Sequence, residues 1–334
     1  MGLHGTAAAG RHADANAAEA RGDYAAELAI LQPNAKRGLP WAQNNLGNLY
    51  DAGHGVPQDY GKAVYWYRKA AEQGDKGGEG NLGQMYAAGQ GVAKDDAQAA
   101  SWYRKAGDQG DEMAQAMLKM QCVMLNGAAP PPDCAQVIVW TRAAADKGDV
   151  RAEQDLAQMY DMGADGLTQD PAQATVWYRK AAEASDAGAE SSLAMRYDMG
   201  VGVAQDAAQA LDWFRKAAAQ GDMMAQMSLA QRYEDGRGVA KDDAQAFYWN
   251  CKLADRGFAD AQRKVGAAYA LGRGVAQDYV QAYVWLDVAV AEAAAGGADD
   301  TALARDSVAS HLTPAQLADA KQQSVALKAK LDAQ

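Results

Sequence analysis

Seven tryptophans set the ruler for this chain. Trp66, Trp102, Trp140, Trp177, Trp213, Trp249 and Trp285 follow one another at steps of 36, 38, 37, 36, 36 and 36 residues. A sustained period of that length means an array of supersecondary units, and it constrains the architecture before any local reading begins. Other columns keep step. Seven residues before each Trp stands Asp59, Asp95, Asp133, Asp170, Asp206, Asp242 or Asp278. A leucine column runs Leu46, Leu82, Leu118, Leu156, Leu193, Leu229, Val265, and a tyrosine column runs Tyr50, Tyr86, Cys122, Tyr160, Tyr197, Tyr233, Tyr269.

Each unit reads as two helices. In the first copy Ala42, Leu46, Leu49, Tyr50 and Gly53 follow helical spacing and share one face. A neighbouring position stays small (Gly47, Gly83, Ala157, Ala194, Ala230, Gly266), which lets another helix approach. Gly53 supplies a left-handed C-cap. The aspartate caps the second helix, with glutamine three residues on in six units, in a capping-box pattern. The second helix carries Trp at its core face, so Trp66, Trp102, Trp177, Trp213 and Trp249 are expected to be buried. Lys69, Lys105, Lys180, Lys216 and Lys252 fall near its C-terminus and favour the negative end of the helix dipole.

Between the helices lies a glycine phrase: GHGVPQD, GQGVAKD, GVGVAQD, GRGVAKD and GRGVAQD, beginning at Gly53, Gly89, Gly200, Gly236 and Gly272. One glycine-rich loop before a helix can cradle phosphate. Five copies, with no G-x-x-x-x-G-K-[ST] and no preceding buried strand, describe a reused structural joint instead. The valine is its one apolar residue and is expected to plug the hairpin.

Composition narrows the function classes. The 334 residues carry a formal charge of -11, which repels a phosphate backbone and argues against nucleic-acid binding. No apolar run is long enough to insert into a membrane. Three cysteines without a C-x-x-C, and four scattered histidines, give no metal site, and no cofactor is implied. Cys122 and Cys134 flank one hairpin. They read either as a disulfide, in an oxidising compartment, or as two small buried thiols.

With G-x-G-V-x-x-D followed by A-x-x-W-[YF]-x-K-A-A-x-x-G-D, the chain resembles the Sel-one-like repeat family, relatives of tetratricopeptide repeats, from Asp23 to Leu331. The resemblance implies an all-α, right-handed α/α superhelix of seven repeats that holds a protein partner on its concave face without catalysis. The expected organisation is a flexible tail over 1–22, an N-terminal capping helix over 23–40, seven repeats over 41–295 and capping helices over 296–334. The third repeat departs from the pattern at Lys119, Cys122 and NGAAPPPD (Asn126 to Asp133), where curvature is expected to change.

Once the buried face is subtracted, a polar and thioether stripe remains on the first helices. It comprises Asn44, Asn48, Asp51, Gln84, Gln154, Asp155, Gln158, Asp161, Met195, Asp198, Met227, Gln231, Glu234 and Asp235. Amides and acids suit peptide backbone or a basic partner, and methionine adapts its shape at binding surfaces. Many bacterial members of the family are exported, so the periplasm is the expected location, with the cytoplasm as the alternative, and a monomer is expected. Some members resemble immunity proteins that neutralise a secreted antibacterial toxin, which gives a second reading. A hydrolase acting on cell-wall precursors finds no support, because neither G-x-S-x-G nor a histidine-centred constellation is present.

Overall fold

The computed structural model describes residues 2–124, 132–164, 167–292 and 298–333. The chain divides into two compact units, Met1–Ala143 with Ala164–Leu167, and Ala144–Gly163 with Thr168–Gln334. The first unit holds α1 (Gly2–Ala20), α2 (Tyr24–Lys36), α3 (Pro40–Ala52), α4 (Tyr60–Ala71), α5 (Lys76–Ala88), α6 (Asp96–Asp108) and α7 (Glu112–Met124), followed by α8 (Ala135–Ala145), which reaches the boundary. The second holds α9 (Val150–Met162), α10 (Pro171–Glu183), α11 (Ala187–Met199), α12 (Ala207–Ala219), α13 (Met223–Asp235), α14 (Asp243–Ala254), α15 (Ala259–Leu271), α16 (Tyr279–Glu292), α17 (Ala298–Ala309) and α18 (Pro314–Leu331). Among the described residues all regular structure is helical, and within each unit sequential helices from α1 to α7 and from α9 to α17 pack as neighbours, the signature of helical repeats.

The joint between paired helices forms as the glycines demand. Gly53, Gly89, Gly163, Gly200, Gly236 and Gly272 are left-handed C-caps of the first helices. The second glycine of the phrase does a different job. A Cβ on Gly202 would lie 2.0 Å from the carbonyl oxygen of Pro171, and one on Gly274 would lie 2.0 Å from that of Asp243. Pro171 and Asp243 are the first residues of the preceding unit's second helix. The loop of one repeat therefore sits directly on the helix start of the repeat before it. Val56, Val92, Val203 and Val239 pack half-buried into the neighbouring core clusters.

The aspartates cap as the sequence demands: the Asp95, Asp170, Asp206, Asp242 and Asp278 carboxylates each accept two backbone N–H groups. The reciprocal half of the expected capping box does not form at these caps. Outside the third repeat, each capping residue's own N–H donates to the tyrosine-column carbonyl, as in Asp59 to Tyr50 (2.8 Å), Asp170 to Tyr160 (2.8 Å) and Asp206 to Tyr197 (2.8 Å). The glutamine therefore has no cap N–H to accept, and the hairpin is closed by that backbone bond together with the loop glutamine (Gln58, Gln169, Gln205 or Gln277), whose amide donates to a carbonyl near the end of the first helix. Among the described residues a complete box stands at Thr313 and Gln316, which opens α18.

Burial revises the role of tryptophan. Trp177 is buried, but Trp66, Trp102, Trp213 and Trp249 are half-buried. The residue after the tryptophan takes the core: Tyr67, Tyr103, Tyr178 and Phe214 are buried. The Tyr67 and Tyr103 rings lie where a Cβ on Gly47 or Gly83 would stand, 2.6 and 2.8 Å away, which is why that column stays small. The outer faces of Trp102, Trp177 and Trp213 are covered by Lys105, Lys180 and Lys216, with ammonium-to-ring distances of 3.8, 3.7 and 3.7 Å. This contact adds about 0.5–1 kcal/mol at such sites, comparable with the dipole term.

Both ends correct or extend the sequence reading. The tail expected over 1–22 is helical: α1 packs on α2 with Ala15 and Ala18 buried. At the other end α17 and α18 both pack on α16, burying Val308, Ala320 and Ser324. Most of the Asn126–Asp133 segment lies outside the described residues. Cys122 and Cys134, on either side of it, form a disulfide with Cα atoms 5.8 Å apart.

Candidate functional site: the first-helix face

In the first unit the stripe residues bond to one another across repeats. Asn81 donates to Asn44 (2.9 Å) and Asn48 (3.0 Å), and the buried Tyr67 hydroxyl donates to Asn48 (2.9 Å) and Asp51 (3.3 Å). Burial and the Asp51 charge both raise the Tyr67 pKa, so the phenol stays a donor. Gln84 is exposed.

In the second unit Gln154 bonds to Asp186, the cap of α11, and Gln158 is exposed. Asp155 is half-buried. Asp161 and Asp198 are not free carboxylates. Asp161 is paired with Arg196 and Asp198 with Arg232, each arginine coming from the next repeat and buried. Arg196 also donates to the Pro171 carbonyl (3.0 Å) and Thr175 Oγ1 (3.0 Å), and its guanidinium lies 4.8 Å from the Tyr178 ring centroid. Arg232 donates to the Arg237 carbonyl (3.1 Å) and lies 5.0 Å from the Phe214 ring. Glu234 is held by Lys264 (3.0 Å) and Asn250 (2.8 Å). A ladder of charge pairs thus links successive repeats. Sequence reading missed it, although the recurring Arg-Tyr-Asp and Arg-Tyr-Glu triplets at 196–198 and 232–234 carried the signal.

Several large apolar side chains on these helices present open surface. Met162, Met199 and Leu271 occupy the same register position, the last residue of their helix, and are 63, 63 and 60% exposed. Met227 is 46% exposed. Asp235 holds that same register position in α13, and Gln231 donates to it (2.6 Å). Met195 is half-buried against the core cluster that includes Trp213, so it contributes less surface than its spacing suggested.

Between α13, α14 and α15 a cleft of about 290 Å³ is lined by Glu234, Asn250, Phe247, Ala268, Leu271 and Arg273 among others. A second, of about 170 Å³, adjoins it and shares Asn250 and Lys264. Among the described residues no group of His, Cys, Asp and Glu is placed to hold a metal ion, and no helix is long and apolar enough to cross a membrane.

A run of paired helices in which a left-handed glycine cap, an aspartate cap and a glycine contact recur among the described residues defines a helical-repeat protein. The Sel1 repeat family model matches residues 42–75, 79–111, 150–186, 187–222, 224–258 and 259–291, more than half of the chain. The chain belongs to the Sel1 repeat family, whose repeats generally mediate protein–protein interaction. The unmatched interval coincides with the third of the seven expected units, which carries Lys119 and the Cys122–Cys134 disulfide. The chain is similar to c5321, a protective antigen of uropathogenic Escherichia coli strains displaying an SLR fold, at 34% identity and a TM-score of 0.51. That match covers 92% of this chain and spans 64% of the antigen. It is also similar to a Sel1 repeat protein from Oxalobacter formigenes, at 32% identity, a TM-score of 0.57, and 80% and 77% coverage of the two chains. No curated protein matches it.

Proposed function

We propose that the protein is a non-catalytic scaffold that grips a protein partner on the first-helix face of its second unit. The observation that carries this reading is the exposed row of Met162, Met199 and Leu271, at the same position of three of this unit's first helices, with Asp235 in the sixth repeat. Large apolar side chains repeated in register on a solvated face have no packing role. Thioethers adapt to a partner's shape, and the acid favours a basic one. The ladder carboxylates at Asp161 and Asp198 are structural, so the test spares them. With a purified partner, a Met162→Ser, Met199→Ser variant should dissociate faster, and Asp235→Lys should associate more slowly with a flatter salt dependence. Asp212→Lys, on a second helix, is the control. If the methionine variant binds like that control, the partner uses another face.

We infer further that the protein works in an oxidising compartment such as the periplasm, which the Cys122–Cys134 disulfide supports. A secreted toxin is one partner that such a location would supply. Intact mass after alkylation of freshly isolated protein checks the compartment: three alkylated thiols would place it in a reducing one.

A further inference from the structure

One register position separates the last repeat from the others. Leu49, Met85, Gln121, Met159, Arg196 and Arg232 stand in equivalent places on successive first helices, and Leu49, Met85, Met159, Arg196 and Arg232 are buried. In the seventh copy the residue is Ala268. The wall facing it is cut back at the same junction. Where Tyr67, Tyr103, Tyr178 and Phe214 place a buried ring, this junction has Asn250. Two truncations against each other leave the cleft of about 290 Å³ that both residues line. Where Met85 meets Tyr67, Arg196 meets Tyr178 and Arg232 meets Phe214, buried side chains fill the same space, the dense packing ordinary for proteins.

The charge at this junction changes too. The two first-helix positions that are Ser191 and Ser192 in one repeat, and Met227 and Ser228 in the next, become Arg263 and Lys264. Lys264 takes over the ladder role lost with Arg232's counterpart by reaching Glu234 at 3.0 Å. Arg263 is held by Asp260 (2.6 Å), and Lys241 lies 3.8 Å from Asp243. Arg273, exposed on the rim, has no ion pair among the described residues. The cleft therefore offers an apolar lining (Phe247, Leu271, Ala268) beside one cation whose charge is unspent among the described residues, in a chain of net charge -11. An arginine or lysine from a partner fits less well. It would meet Glu234 already doubly bonded and would sit beside Lys264.

We propose that this emptied slot is a binding site for a carboxylate carried on a small apolar body, with Arg273 facing the carboxylate and the apolar part taking the place that a methionine fills in other repeats. The proposal rests on the first-helix face being a binding surface and names one chemical group that it takes.

The test uses small probes, so it stands apart from partner kinetics at Met162 and Met199. Chemical-shift titration of the full chain with N-acetyl-leucine is expected to perturb Ala268 and Arg273, and N-acetyl-leucinamide, without the carboxylate, should bind at least about tenfold more weakly. N-acetyl-glutamic acid α-amide, with the carboxylate on a side chain, distinguishes an internal acidic residue from a chain end: the tighter probe names the source. Ala268→Met, copying Met85 and Met159, should fill the slot and abolish binding without loss of thermal stability. Arg273→Gln, on the exposed rim, should weaken N-acetyl-leucine by about tenfold and leave the fold untouched. Equal binding of acid and amide overturns the proposal, as does binding that survives Ala268→Met in the folded protein. Preferential binding of N-acetyl-argininamide also overturns it and reassigns the slot to a partner's arginine.

Discussion

Gly200 and Gly202 share one phrase and nearly one conformation, with φ of 71° and 68°, yet the structure gives them unequal sensitivity to a methyl group. Either alanine variant must hold a left-handed backbone, which costs a non-glycine residue about 1–2 kcal/mol. For Gly200 little is added, because the nearest atom to a new Cβ is Gln205 Cβ at 3.3 Å. For Gly202 the Cβ would stand 2.0 Å from the Pro171 carbonyl oxygen and 2.7 Å from Thr175 Oγ1. Relief requires the loop and the start of α10 to separate by about 1 Å, and overpacking of that kind costs about 1–3 kcal/mol more. Gly200→Ala should therefore destabilise by about 1–2 kcal/mol and Gly202→Ala by about 2–5 kcal/mol. Urea denaturation followed by helical circular dichroism measures both, and amide exchange in α10 and α11 locates the damage. Equal losses from the two variants would falsify the claim that the second glycine seats one repeat on another.

Three other outcomes follow from the packing. Arg232→Met should cost about 3–5 kcal/mol by stranding Asp198, whereas the double variant Arg232→Met, Asp198→Asn, which removes both charges, should cost far less; similar losses in urea melts would mean that the stranded charge is not what matters there. Phe214→Ala should cost about 3–5 kcal/mol and Trp213→Ala distinctly less, since Phe214 is buried and Trp213 half-buried under Lys216; the reverse order in thermal melts would restore tryptophan to the core. Burial, with Glu19 nearby, pushes the Glu27 carboxyl up to about 7, so its contribution is fully present below its unfolded value of about 4.3 and is lost as pH rises towards 7. Its ceiling is about 3 kcal/mol, cut to about 1 by solvent screening, and Glu27→Gln should flatten the stability profile between pH 4 and 7; an unchanged slope would show that the group titrates normally.

How much of this was legible beforehand depended on whether a residue acts within its own repeat or across a junction. Helix boundaries, aspartate caps and left-handed glycines are local, and period and capping chemistry expose them. The role of Gly202 depends on Pro171, which lies 31 positions back, and the sequence shows only that a glycine is there. The same holds for Asp161 and Asp198. Read along their own helices they are exposed acids, and only the neighbouring repeat's Arg196 and Arg232 turn them into structural partners. Tryptophan misled for a related reason: its size promised the core, but the smaller ring beside it fits the space above Gly47 and Gly83. The emptied slot at Ala268 was visible as a column of letters, but its meaning required knowing that Asn250 stands opposite.

The backbone closure of each hairpin, from aspartate N–H to tyrosine carbonyl, involves no residue outside its own repeat, whereas every glycine seat and charge rung spans a single junction. Length is therefore an adjustable quantity in this architecture. Excising Ala187–Asp222 joins Asp186 to Met223, replacing one capping aspartate with another. Gly238 would then rest on Pro171 in place of Ala207, and Arg232 would meet Asp161 and the Tyr178 ring where it now meets Asp198 and Phe214. A gene encoding such a chain can gain or lose a 36-residue module by unequal crossing-over without leaving a mismatched seam, so reach along a partner can evolve separately from the chemistry of any one repeat.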